Sequence, residues 1–215
     1  MKPHVSLAVV AIALLSSTAG ARPAAPLRAR SHVYVPDPVV VLDREMRKLW
    51  EDHIAFTRNY IVSAIGGLPD TDAVALRLMK NQDAIGDALK PFYGPQLGDA
   101  LTKLLREHIR IAADVVKAAK AQDTLLLEVQ QRRWLENAND IAKLLSDANP
   151  NWKRVELEDM LHRHLDLTTR EVTARLQKDW AEDIAAYDAG HEHMLMFADD
   201  LAAGIARQFP KNFTR

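Results

Sequence analysis

The sequence predicts an all-α protein, an antiparallel bundle of six helices made from three tandem helical hairpins. Three observations predict it: apolar residues recur at intervals of three and four, few turn signals interrupt them, and one pattern returns every 55 or 56 residues.

The helical periodicity takes hold near Leu42. It runs through Leu49, Trp50, Ile54, Phe56 and Ile61, and again through Leu101, Leu104, Leu105, Ile109, Ile111 and Val115, the spacing of helices that bury one face. No segment sustains a two-residue alternation, and the single β-like stretch, Val39 to Leu42, sits at the edge of a linker. Breaks fall at Gly66-Gly67-Leu68-Pro69-Asp70, at Pro91-Phe92-Tyr93-Gly94-Pro95, at Ala121-Gln122-Asp123 and at Asn149-Pro150-Asn151-Trp152. A fifth, weaker break lies at Lys178-Asp179, where the aspartate is placed to cap the next helix. Five breaks make six helices of roughly 20 to 25 residues, about 30 to 37 Å long. Short connections between them imply antiparallel neighbours.

Residues 1–21 read as a signal peptide: Lys2, an apolar stretch from Val5 to Leu15, then Ala19-Gly20-Ala21 as a cleavage site. A linker rich in Pro, Ala and Arg follows over 22–41, with no pattern that requires fixed structure. The bundle occupies 42–215, with hairpins at about 42–92, 95–148 and 153–209. The expected destination is the periplasm or the exterior, with no membrane span after cleavage because no later segment approaches 18 consecutive apolar residues.

The chain has no cysteine, which excludes disulfides, thiolate metal sites, a catalytic thiol and a lipid-anchored N-terminal Cys. Removing residues 1–21 takes one of the 28 basic residues and none of the 29 acidic ones. The remaining balance is slightly acidic and offers no general attraction for nucleic acid.

Self-similarity is the most informative signal. LWEDHIAFT from Leu49, LLREHIRIA from Leu104 and MLHRHLDLT from Met160 superpose, with histidines at His53, His108 and His164. NQDAIGDAL from Asn81, NANDIAKLL from Asn137 and HMLMFADDL from His193 superpose as well. In each hairpin the two polar residues stand equally far from the turn, and therefore at one height in the bundle. Their neighbours three and four residues away are mostly apolar, so all six are expected to point inward.

Three readings of this layer stay open. It can be internal wiring, a His to Asn or His to His hydrogen bond that sets the register of each hairpin. It can be a transition-metal site in which His53, His108, His164 and His193 hold Zn, Cu or Ni. Or, with Asn81 and Asn137, it can supply polar contacts to a small ligand.

Other chemistry is weakly signalled. Asp159-x-x-His162 and Asp188-x-x-His191 resemble the acid and histidine spacing of di-iron bundles, but with Asp in place of Glu and no source of further carboxylates. Arg77 and Arg133 read as solvated helix face, and Trp50, Trp134, Trp152 and Trp180 as core or turn packing. No glycine-rich phosphate loop, G-x-S-x-G turn or H-E-x-x-H helix occurs, and no catalytic residue is assigned.

The strings LWEDHIAFTRNYI, KPFYG, REHIRIAADVVKAAK, ENANDIAKLL, NPNW, HLDLTTREV and QFPKNF resemble a group of small bacterial exported helical proteins with repeated His and Asn hairpins. The likeness covers most of the mature chain. It implies an all-helical fold and brings no activity or ligand with it. The expected function is that of an exported module that binds a small ligand or a protein; the alternative is a metal-binding envelope protein using the four histidines.

Overall fold

The computed structural model describes residues 37–214. The signal-peptide reading and most of the linker lie outside that range. Among the described residues there are six helices and no strand: α1 (Pro38–Gly66), α2 (Thr71–Tyr93), α3 (Pro95–Ala121), α4 (Thr124–Ala148), α5 (Arg154–Gln177) and α6 (Trp180–Gln208), followed by a short 3₁₀ turn, Pro210–Asn212. None of the described helices is long and apolar enough to cross a membrane.

The first helix begins four residues before the expected boundary. Asp37 accepts a hydrogen bond from the Val39 N–H at 2.8 Å and Pro38 occupies the first turn, where its missing N–H is no loss. Capping thus draws the β-like stretch from Val39 into the helix. Asp123 and Asp179 cap α4 and α6 in the same way, accepting from Leu126 and Glu182. The helix α2 continues through Pro91 to Tyr93, leaving Gly94 alone between α2 and α3.

Three helix ends are copies of one another. After α1, α3 and α5 the chain turns through a left-handed residue, Gly67 (φ 66°), Gln122 (φ 57°) and Lys178 (φ 61°). The next N–H in each case reaches back to a carbonyl five residues earlier, Leu68 to Ser63, Asp123 to Ala118 and Asp179 to Ala174. This closure satisfies carbonyls that the helix end leaves open.

Every helix packs against its neighbours in sequence, α6 also packs against α1, and α1, α3 and α5 touch one another. The contacts are those of a bundle. A large apolar cluster includes Trp50, Ile85, Leu105, Ile141, Leu161 and Phe197; a smaller one joins Tyr60, Ile61, Val116 and Val172. Each fully buried side chain of this size contributes roughly 1.5 to 3 kcal/mol.

Glycine lets α2 and α3 approach closely. A Cβ on Gly86 would stand 2.6 Å from the Gly98 carbonyl oxygen, and one on Gly98 would stand 2.7 Å from that of Gly86. The strings KPFYG, NPNW and QFPKNF come together in space. Tyr93 donates to Gln208 Oε1 and accepts from Asn149 Nδ2, and its ring packs on Trp152 and Phe209.

Candidate functional site

Three of the predicted histidines meet in the interior. His53 on α1, His108 on α3 and His164 on α5 are at most 3% exposed. The ring centres of His53 and His164 are 5.7 Å apart, and those of His108 and His164 are 6.0 Å apart. Asn81 and Asn137 are buried, whereas His193 is only half-buried.

The second-helix residues share a task that the sequence did not reveal. Asn81 Nδ2 donates to the Leu49 carbonyl at 2.9 Å, Asn137 Nδ2 to Leu104 at 3.1 Å, and His193 Nε2 to Met160 at 2.7 Å. The three carbonyls recur with the 55- and 56-residue repeat, each four residues before a histidine. A polar side chain from one helix thus fastens the backbone of the helix before it.

The expected imidazole to carboxamide bond forms in the middle repeat alone. His108 Nδ1 donates to Asn137 Oδ1 at 2.7 Å, and His108 Nε2 accepts from Trp134 Nε1 at 3.0 Å. Both ring nitrogens are engaged, which places the proton on Nδ1. In the first repeat Asn81 Oδ1 instead accepts from Gln82 Nε2 at 3.1 Å. The repeat equivalents of Trp134 are Leu78 and Gly190, neither of which can donate to an imidazole through its side chain. Separately, His53 Nδ1 and His164 Nδ1, which correspond to the nitrogen that His108 turns to Asn137, have no hydrogen-bond partner.

Burial dominates the electrostatics. It pushes the His53 imidazole down to about 3, with the nearby His108 ring adding to the effect and a side-chain hydrogen-bond contact with Gln82 opposing it. The same desolvation takes His108 down to about 4 against the opposing bond to Asn137, and holds His164 well below its ordinary value. All three rings are neutral at pH 7, the form in which imidazole ligates metals.

The four-histidine metal set is not assembled. His108 has no free nitrogen, His193 commits Nε2 to a carbonyl, and no group of three or more His, Asp or Glu side chains among the described residues is placed to hold a metal ion. A Zn, Cu or Ni centre drawing on all four does not fit these side chains, because hydrogen bonds occupy both nitrogens of His108 and Nε2 of His193. The di-iron-like pairs are also apart from any shared centre: His162 bonds Asn139 at 2.7 Å, and His191 faces Glu51 at 3.5 Å.

Beside the layer lies a cavity of about 90 Å³ between α1, α3, α4 and α5. Val115, Val116 and Val172 form its apolar wall, and Trp134, the residue that donates to His108, closes one side. Gln131 and Thr173 bring polar groups to it. Next to it, the first turns of α4 expose Leu125, Leu126 and Val129.

Sequence reasoning missed a second polar cluster. Arg58 donates to Glu171 at 2.8 Å and to both carboxylate oxygens of Asp183, and Arg175 donates to Asp183 at 2.8 Å. Burial opposes the charge of Asp183, yet the two guanidiniums hold its carboxyl below the usual range. At Glu171 burial prevails and the carboxyl is raised. The signal was present, since Glu171 continues the inward face of α5 set by His164 and Thr168. Arg77, read as solvated, lies 4.1 Å above the Phe56 ring and bonds Asp52. Trp50, Trp134 and Trp152 are buried as expected, but Trp180 stands exposed at the start of α6, where Arg175 lies 5.4 Å from its ring.

Compared with protein-family models, curated proteins and solved structures, the chain matches none.

Proposed function

We propose that this chain is an exported binding module of the periplasm or the exterior, a scaffold of three tandem antiparallel hairpins whose ligand enters the cavity beside Trp134. Two kinds of contact support the antiparallel hairpins. Helix ends and carbonyl bonds recur with the repeat, and α1 meets α6 in opposite order, Arg47 with Asp199 and Arg58 with Asp183.

The observation that carries the binding role is the cavity of about 90 Å³ walled by Val115, Val116 and Val172. An apolar void of about 150 Å³ in a protein interior takes up benzene. This one suits an apolar group of about four or five heavy atoms, or the tip of a larger molecule whose polar end reaches Gln131 or Thr173. The exposed leucines at the start of α4 favour the same region as the point of entry.

Isobutanol and 1-propanol are suitable probes. Titration of either should shift the NMR signals of the Trp134 indole N–H and the three valines, saturating in the millimolar range. Val116→Phe should fill the space and abolish the response while keeping the helical content. Shifts scattered over the surface, or the same response in the filled variant, would overturn the assignment.

A further inference from the structure

The helix α1 carries an acid on its apolar face. Pro38, Val41, Leu42, Glu45 and Leu49 follow one another at intervals of three, one, three and four residues, so Glu45 stands on the stripe that the others form. With α2 and the C-terminal segment this stripe makes a pocket of about 260 Å³, where α1 begins and α2 ends, that shares no residue with the cavity beside Trp134. Ala88, Pro91 and Phe92 supply the α2 wall, and the ring of Phe213 stacks on that of Phe92 at 5.9 Å. Glu45 is the one charged residue among the described residues that line this pocket. No cation among the described residues pairs with it, while the nearby Arg47, Lys48 and Lys90 are held by Asp199, Asp52 and Asp99. Arg44 lies about a third of a turn round the helix and does not line the pocket. Pro91 has no N–H, so the Asp87 carbonyl lacks the helical donor four residues on, a second acceptor beside the α2 wall. The positive end of α1, which would favour an anion, is already met by Asp37, whose side chain accepts from the Val39 N–H.

We propose that this pocket binds a small hydrophobic amine, its ammonium group on Glu45 and its apolar tail against Leu42, Leu49 and Phe92. An apolar void of about 150 Å³ takes up benzene, so a ring-sized tail fits within this larger space. An ammonium group makes a charge-assisted hydrogen bond with a carboxylate, and the faces of Phe92 and Phe213 attract it as well. A carboxylate ligand would meet Glu45 as a like charge, and a neutral one would leave that group unused. This site does not depend on a ligand in the cavity beside Trp134.

The test titrates the purified chain at pH 7.5 with phenethylamine, phenethyl alcohol and hydrocinnamate, which share a ring and differ in charge. In NMR spectra the amine should shift the Met46 methyl and the Phe92 and Phe213 ring signals saturably, leaving the Trp134 indole N–H in place. It should bind about tenfold more tightly than the alcohol, and hydrocinnamate should not bind. Glu45→Gln, at an exposed position, should bring the amine down to the level of the alcohol. Ala88→Phe should fill the space and abolish the response to both. Equal affinity for amine and alcohol in the unmodified chain would overturn the proposal, as would an amine preference that survives in Glu45→Gln. So would shifts confined to Trp134, or no saturable response to any of the three compounds. The spectra of the unmodified chain decide the matter even if a variant fails to fold.

Discussion

Acid should unfold this protein through its three interior histidines. His53, His108 and His164 are held below the unfolded reference of about 6.5, at about 3, about 4 and well below it respectively. The unfolded chain takes up these protons first, so stability is complete above pH 6.5 and falls as the pH drops through that value. One unit below the reference, a ring kept neutral by folding forfeits about 1.4 kcal/mol; three rings together forfeit about 4 kcal/mol between pH 7.5 and 5.5. That is a large fraction of the roughly 5 to 15 kcal/mol available to a domain. Glu171 works in the opposite sense, since its raised carboxyl gains a proton earlier in the folded state. Urea unfolding followed by circular dichroism at pH 7.5, 6.5 and 5.5 measures the loss, and His164→Leu should remove about a third of it. A change of less than about 1 kcal/mol across this range would refute the burial of the trio.

Two further expectations concern the backbone and the charge cluster. Gln122 and Lys178 hold left-handed conformations where the first repeat has glycine, so Gln122→Gly and Lys178→Gly should each stabilise the chain by about 0.5 to 1 kcal/mol, read from urea midpoints; a loss at both would contradict the turn geometry. Arg58→Met leaves Glu171 without its cation and Asp183 with Arg175 alone, which should cost about 3 kcal/mol or more. An unchanged thermal midpoint in that variant would mean that the cluster contributes nothing.

Periodicity and repeat length carried most of the architecture because both are local properties. Helix number follows from the breaks, and the heights of His53, His108 and His164 follow from counting outward from each turn. The helix start at Pro38 was missed because capping by Asp37 outweighed the β preference of Val39-Val40-Val41. Hydrogen-bond partners were less legible, since they depend on azimuth and on which neighbour is large enough to reach. Trp134 completes the bonding of His108, while Leu78 and Gly190 at the equivalent positions do not, and no spacing rule distinguishes these outcomes. The Arg58 cluster escaped notice because its members come from three helices, and a charge on a helix face is usually solvated. The meeting of Tyr93, Trp152 and Phe209 was hidden for a similar reason: each belongs to a different chain segment.

The carbonyls of Leu49, Leu104 and Met160 also serve the helical bond to the histidine four residues on, so what ties each pair of helices is main chain rather than imidazole. A mutation at His53 or His164 therefore leaves the clasp between rods intact. Such an arrangement lets the central rings be exchanged without loosening the frame, and the middle copy, with both nitrogens occupied, is the one least free to change.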